Sequence, residues 1–210
     1  MSLATATADE KAPAAKTIGG VPVLVLEGDH YQRGYAHGKA LRSEILDLVD
    51  NYILERTSPL VFYPMLQSVG DLMVVDPGLE EEAKGLVQGA KDAGDGTFKS
   101  DRLPAEFTWQ DILAINTYID YLGSACSSVS AWGAATRQPP LEGKAALVRN
   151  MDWSLSPALL LIPLAFIHNP SAKAHAATAS VAFAAPLGCL SATNSDSLRA
   201  VTHLCCSRPA

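Results

Sequence analysis

The sequence predicts an α+β fold in which a mainly helical half is followed by antiparallel strands. Apolar residues recur at helical spacing through most of residues 29–123, whereas from residue 126 onward they alternate with a period of two. The composition agrees, because 210 residues with 48% hydrophobic and 18% charged residues are typical of a globular chain. We expect a flexible tail over 1–20, a mainly helical segment over 21–125 and an antiparallel β segment over 126–210.

The helical half opens with a strand and a capped helix. The alternating run VPVLVLEG at 21–28 predicts the strand, and Asp29 with Gln32 three positions later predicts a capping box. The residues that follow have the pattern of a long amphipathic helix. Gly34 and Gly38 lie on one face of it, where each costs about 1 kcal/mol relative to alanine. We therefore expect another backbone to approach this face closely.

Helical patterns continue through 60–75, and two helices with clearer start signals follow before the strands begin. The first covers 76–94, where Pro77 precedes an acidic first turn, and its stretch LEEEAKG is interpreted as a solvated face. The second covers 108–123, with a threonine cap, Asp111 in the first turn and a glycine at its end.

Three strand pairs are predicted in the second half. CSSVSAWGAAT and AALVRNMDW flank the turn segment RQPPLEGK. ALLLIPLAFIHN and HAATASVAFA form a second hairpin, and CLSATN with LRAVTHL forms a weaker third pair.

The first hairpin brings three chemically active residues together. If Thr136 pairs with Ala145 across the turn, then Arg149 and Asp152 come to the same end of the hairpin as Cys126. A nucleophilic thiolate needs a positive neighbour, and a carboxylate can orient an arginine or an amine. Because Arg149 and Asp152 are three residues apart, a bulge or a strand end has to intervene if both are to reach one site.

Structural interpretations of the same residues stay open at this point. A free cysteine in a strand is most often a small core residue, and an Arg–Asp pair in RNMD is also typical of a surface turn. His37 is interpreted as a packing histidine, and Trp132 and Trp153 either line an acyl pocket or pack in the core.

Three stretches resemble one known family. GDHYQRGYAHGKALRSEI at 28–45 resembles the N-terminal helix motif of the acyl-CoA:6-aminopenicillanic acid acyltransferase family, the C45 autoproteolytic peptidases. ILAINTYIDYLGSACSS at 112–128 resembles the helix that leads into that family's cleavage site. The segment from Cys126 to RNMDW resembles a hairpin that the family shares with choloylglycine hydrolases and acid-ceramidase-like amidases, all of which are N-terminal nucleophile (Ntn) hydrolases.

The resemblance implies an αββα sandwich that is made as a precursor and cut by its own nucleophile. The implied cut lies between Ala125 and Cys126, and the new α-amine of Cys126 then serves as general base for its own thiol. A free α-amine has a pKa of about 7.7–8.0, which suits such a base. The resemblance makes Cys126 the nucleophile, Arg149 the arginine beside the thiol and Asp152 the carboxylate that holds the amine.

The implied activity is that of an autoproteolytic thiol hydrolase or acyltransferase acting on a small-molecule linear amide or thioester. One alternative is a bile-salt or N-acylethanolamine-type amidase, although the long N-terminal helical segment argues against the bile-salt form. The other is a non-catalytic descendant that kept the motifs as a binding module. The chain departs from the family at Ser197, where a glycine is expected, and it ends in LCCSRPA at residue 210, so we expect an incomplete or altered C-terminus.

Composition bears on the other function classes. A formal net charge of -6 with no Lys/Arg cluster argues against a nucleic-acid surface. The apolar run LLLIPLAFI is too short to span a membrane, and the spacing of the histidines predicts neither a metal site nor a cofactor. The start lacks the pattern of a signal peptide, and export with that peptide absent from this chain stays open, as does the oligomeric state.

Overall fold

The computed structural model has the α+β architecture that the sequence predicts. It describes residues 15–18, 20–72, 74–122, 125–152, 164–171, 176–183, 187, 191–194 and 199–201. The helices are α1 (His30–Leu48), α2 (Leu54–Arg56), α3 (Pro59–Leu72), α4 (Pro77–Asp92) and α5 (Trp109–Leu122). The strands are β1 (Ala15–Ile18), β2 (Val21–Gly28), β3 (Ala125–Ala131), β4 (Ala146–Asp152), β5 (Leu164–Pro170), β6 (Thr178–Ala182), β7 (Ser191–Asn194) and β8 (Arg199–Val201).

Most of the strands form one mixed sheet. Its order is β1-β2-β5-β6-β7-β8, while β3 and β4 form a separate two-stranded sheet. The predicted hairpins β5–β6 and β7–β8 are confirmed as antiparallel pairs. The described strands of the C-terminal half pair with one another in antiparallel fashion, whereas β2 from the N-terminal half pairs with β5 in parallel. Alternation predicts that β2 is a strand, but it carries no information about which strand lies beside it.

The expected flexible tail over residues 1–20 contains a strand. Residues 15–18 form β1, which pairs antiparallel with β2, whereas residues 1–14 lie outside the described part of the chain. An edge strand is held by backbone hydrogen bonds on one side, so it needs no apolar stripe of its own. The exposed side chains of Thr17 and Ile18 fit this edge position.

Helix α1 packs against β2 of the mixed sheet, and α4 packs against α1. Leu26 of β2, Ile45 of α1, Leu86 of α4 and Phe166 of β5 are each at most 1% exposed and belong to one core cluster. The ring of His37 on α1 lies 5.1 Å from that of Phe166, centroid to centroid. His37 therefore packs between helix and sheet, as expected.

The close backbone approach predicted at the glycines of α1 is confirmed. A Cβ atom built on Gly34 would lie 1.9 Å from the carbonyl oxygen of Glu82, and one built on Gly38 would lie 1.9 Å from that of Leu86. Gly85 and Gly89 on α4 meet the carbonyls of α1 in the same way. The two helices thus touch backbone to backbone along a stripe of four glycines.

Helices α1 and α4 begin at capping residues. Asp29 caps α1 and forms the predicted capping box with Gln32. Asp76 caps α4, with Pro77 in its first turn. Beyond Leu48 the helical path continues as a π-helical turn, Val49–Ile53, and then as α2, whose first residue, Leu54, accepts a hydrogen bond of 3.0 Å from Arg102.

No helix in the described ranges combines the length and the apolar character needed to cross a membrane.

Candidate active site

The candidate site lies on the β3–β4 hairpin. Strand β3 begins at Ala125, one residue before the predicted start at Cys126, and follows α5 after a short connection. Serine, alanine and valine make up the rest of the strand, so its side chains leave room on either face.

The predicted pairing of Thr136 with Ala145 is wrong. Strand β3 ends at Ala131, which pairs with Ala146, and Gly133–Thr136 forms a 3₁₀ turn instead of continuing the strand. The connection is closed by a hydrogen bond of 2.8 Å from the Gly143 amide to the Thr136 carbonyl. Two glycines at positive φ allow the chain to fold back here, which a period-two pattern does not reveal.

The corrected register places the thiol and the guanidinium on one face. Cys126 lies opposite Met151 and Ser128 lies opposite Arg149, and residues directly opposite in an antiparallel pair share a face. Arg149 reaches diagonally across the pair, so that its Nη2 donates to Cys126 Sγ at 3.1 Å. The prediction that the hairpin brings Cys126 and Arg149 together is confirmed, although it assumed a different strand register.

The two faces of the hairpin differ in burial. Cys126, Ser128 and Arg149 are half-buried. On the other face Val129 is 68% exposed and Val148 is 66% exposed. A reactive thiol has to be accessible and yet shielded enough for a nearby charge to act strongly, and the half-buried face meets both conditions.

Asp152 is the last residue of β4, and it lies opposite Ala125. The β3–β4 pairing runs without a bulge as far as Asp152. Of the two features that would let Asp152 and Arg149 serve one site, a bulge or a strand end, the hairpin therefore has the strand end. The register position of Asp152 is beside the Ala125–Cys126 peptide bond. Its side chain is outside the described part of the structure.

A second polar cluster lies between α1 and α4, and the sequence analysis missed it. Arg33 and Glu82 are 6% and 5% exposed, and Arg33 Nη2 lies 3.3 Å from Glu82 Oε2. Arg33 also donates to the Gly28 carbonyl at 2.8 Å, and His30 Nδ1 lies 3.2 Å from Glu82 Oε2.

The interpretation of LEEEAKG as wholly solvated is therefore wrong at Glu82. The sequence does contain a signal for this burial, because Glu82, Gly85 and Gly89 are spaced i, i+3, i+7 and therefore lie on one face of the helix.

His168 of β5 belongs to the same region. Burial lowers its pKa below the ordinary value of 6.5, Glu82 acts in the opposite direction, and the neighbouring His37 and Arg33 lower it further.

Two tryptophans, Trp132 and Trp153, are the remaining candidates from the sequence. Trp132 is 68% exposed, so the core-packing interpretation is wrong for this residue, and Trp153 lies outside the described residues. Over the described ranges, no three His, Cys, Asp or Glu side chains are grouped in a way that could hold a metal ion.

Comparison with known proteins finds a distant similarity. No protein-family model matches the chain. Protein dcd1B of Dictyostelium discoideum is 22% identical over 160 residues, which cover 71% of this chain and 31% of dcd1B. The chain thus spans about a third of the length of the curated relative that it matches. Identity at this level does not assign the chain to a family.

Proposed function

We propose that this chain carries the nucleophile segment of a cysteine Ntn hydrolase of the C45 type. In this proposal the covered mixed sheet and the β3–β4 hairpin belong to an αββα sandwich. Its substrate is a linear amide or a thioester, and its acyl group passes through Cys126 to water or to an amine.

The observation that carries the proposal is the contact of 3.1 Å between Arg149 Nη2 and Cys126 Sγ at the start of β3. A guanidinium at hydrogen-bond distance stabilises a thiolate, because the bond is charge-assisted and the local dielectric is below that of water. A cysteine that served only as a small core residue would gain nothing from this neighbour.

Self-cleavage follows from the position of the thiol at the head of the strand. Cys126 Sγ attacks the carbonyl carbon of Ala125, the C–N bond breaks, and the thiol proton passes to the new α-amine. Water then hydrolyses the thioester, which leaves a carboxylate on Ala125 and a free thiol and amine on Cys126. The register position of Asp152 opposite Ala125 suits a carboxylate that holds this amine.

Turnover uses the same groups on an external acyl donor. The α-amine accepts the thiol proton as sulfur adds to the substrate carbonyl, and it returns the proton to the leaving amine. Arg149 donates to the sulfur and stabilises the negative charge that develops on it during the attack. The resulting thioester then transfers its acyl group to the acceptor.

Intact mass and N-terminal sequencing of the purified chain test the proposal. The unprocessed chain has a mass of 22.2 kDa, and self-cleavage gives two fragments, of which one begins Cys-Ser-Ser-Val-Ser. We expect Cys126→Ala to abolish cleavage and acyl transfer and Cys189→Ala to leave both unchanged. An active enzyme with the Ala125–Cys126 bond intact would disprove the mechanism.

The same experiment separates the alternative functions. A chain that stays whole and shows equal alkylation of all its thiols is a non-catalytic binding module. A cleaved chain that prefers taurine- or glycine-conjugated bile salts, or N-acylethanolamines, over other linear amides belongs to the amidase alternative.

A further inference from the structure

Asn116 lies in the middle of α5, in the helix motif that leads to Cys126. The four residues before it, 112–115, are at most 6% exposed. Asparagine is unfavourable inside a helix, and a buried amide costs free energy unless its polar atoms are hydrogen-bonded. A polar side chain that follows this apolar run therefore needs partners, and the structure gives it two.

Both ends of the Asn116 amide are hydrogen-bonded. Nδ2 donates to the carbonyl of Ile112 at 2.7 Å, one turn back in the same helix, and Oδ1 accepts from the backbone N–H of Leu187 at 2.7 Å. A carbonyl on one side and an N–H on the other allow only one orientation of the amide. The second bond joins residues 71 positions apart, because Leu187 lies in the connection between β6 and β7.

The hairpin that carries Cys126 depends on α5 for its position. Among the described strands, β3 and β4 pair only with each other, so backbone pairing does not attach the hairpin to the mixed sheet. Helix α5 ends at Leu122 and β3 begins at Ala125. With a rise of about 1.5 Å per residue, Asn116 lies about 9 Å from the end of the helix, and a shift of α5 at this point passes on to the strand.

We propose that Asn116 is a positioning residue, which ties α5 to the β6–β7 connection and thereby places Cys126 relative to the mixed sheet. The inference rests on the proposed function, because self-cleavage is the reaction that this placement serves. A misplacement of about 1 Å can slow an enzymatic reaction by roughly 10²-fold. The contact between Cys126 and Arg149 lies within the hairpin, so it does not depend on this tie.

The rate of self-cleavage of the whole chain tests the inference. The chain is made by cell-free synthesis, synthesis is stopped, and intact mass follows the loss of the 22.2 kDa species and the appearance of the fragment that begins Cys-Ser-Ser-Val-Ser. Reaction of Cys126 with iodoacetamide in the uncleaved chain, read by peptide mass spectrometry, reports whether the hairpin itself is intact. Thermal melts set an assay temperature at which every variant is folded.

The variants Asn116→Leu and Asn116→Asp keep the branched shape of asparagine and differ in the acceptor oxygen. We expect Asn116→Leu to slow self-cleavage by roughly tenfold or more, and Asn116→Asp to stay within about threefold of the wild type. Both should leave the alkylation rate of Cys126 and its pH profile unchanged. Gln67→Met is the matched control, since it removes a bond of 3.2 Å between α3 and Asp111 of α5 and leaves the tie to the β6–β7 connection in place.

If Asn116→Leu does not fold, Asn116→Thr takes its place, because a threonine hydroxyl can donate to the Ile112 carbonyl but is too short to reach Leu187. A wild-type chain that stays whole refutes the proposed function and this inference with it. Wild-type cleavage with equal rates in Asn116→Leu and Asn116→Asp overturns the positioning role and leaves the proposed function standing. A slow Asn116→Leu with altered alkylation of Cys126, or an equally slow Gln67→Met, also overturns it, since the effect is then general damage to the structure.

Discussion

A methyl group added at Gly38 tests how tightly α1 and α4 are held together. In Gly38→Ala the new Cβ would lie 1.9 Å from the carbonyl oxygen and 2.7 Å from the carbonyl carbon of Leu86. Both obstacles are backbone atoms inside a helix, so no side-chain rotation relieves the clash. The helices have to separate by about 1 Å, and a gap of that size forfeits about a quarter to a half of each dispersion contact that it opens.

The cost follows from what lies in that interface. Leu86 and Ala90 are completely buried, and Leu41 and Ile45 of α1 are at most 8% exposed, so the separation loosens fully packed groups. Overpacking of a core usually costs about 1–3 kcal/mol, and a rigid backbone obstacle places this case at about 3–5 kcal/mol. Alanine regains about 1 kcal/mol of helix propensity, which leaves a net loss of about 2–4 kcal/mol.

Urea unfolding followed by circular dichroism measures this loss. A loss of this size lowers the melting temperature by roughly 5–15 °C for a chain of this length. Gly78→Ala is the matched control, because it lies in the first turn of α4 and its Cβ would meet the end of the partly exposed His30 side chain. That ring can move, so we expect a change below about 1 kcal/mol. Equal stability of Gly38→Ala and wild type would refute the close-packing argument.

Three further predictions concern the charged groups. Glu82→Ala leaves Arg33 buried without its carboxylate and should cost about 3–5 kcal/mol in urea unfolding, whereas Lys84→Ala, which breaks only exposed ion pairs, should leave the unfolding midpoint nearly unchanged. Burial holds the pKa of His168 below that of the unfolded chain, so the free energy of unfolding is greatest above about pH 6.5 and falls as the pH drops toward the lowered pKa. His168→Gln should reduce this fall between urea unfolding curves at about pH 7.5 and pH 5, and an unchanged difference would contradict the prediction. Asp152→Asn should slow self-cleavage and single-turnover acyl transfer by roughly 10²-fold with little change in melting temperature, and normal rates would remove Asp152 from the site.

Local features of the fold were predictable because short-range physics determines them. The alternation of residues 21–28 and the carboxylate of Asp29 fix the first strand and the start of α1 without reference to the rest of the chain. The two glycines of α1 were informative for a related reason. Glycine is costly inside a helix, so its repeated use at i, i+4 indicates a compensating contact even before the partner helix is known.

The sequence by itself determined the α+β class, the caps and the glycine face, and it placed Cys126 and Arg149 on the two strands of one hairpin. Only the tertiary structure decided that β2 joins β5 in parallel, that Glu82 is buried against Arg33, and that Ser128 lies opposite Arg149. Each of these depends on a pairing between residues far apart or on the length of a turn. Strand alternation repeats every two residues, so a register shifted by two residues on each strand keeps the same faces and changes every partner.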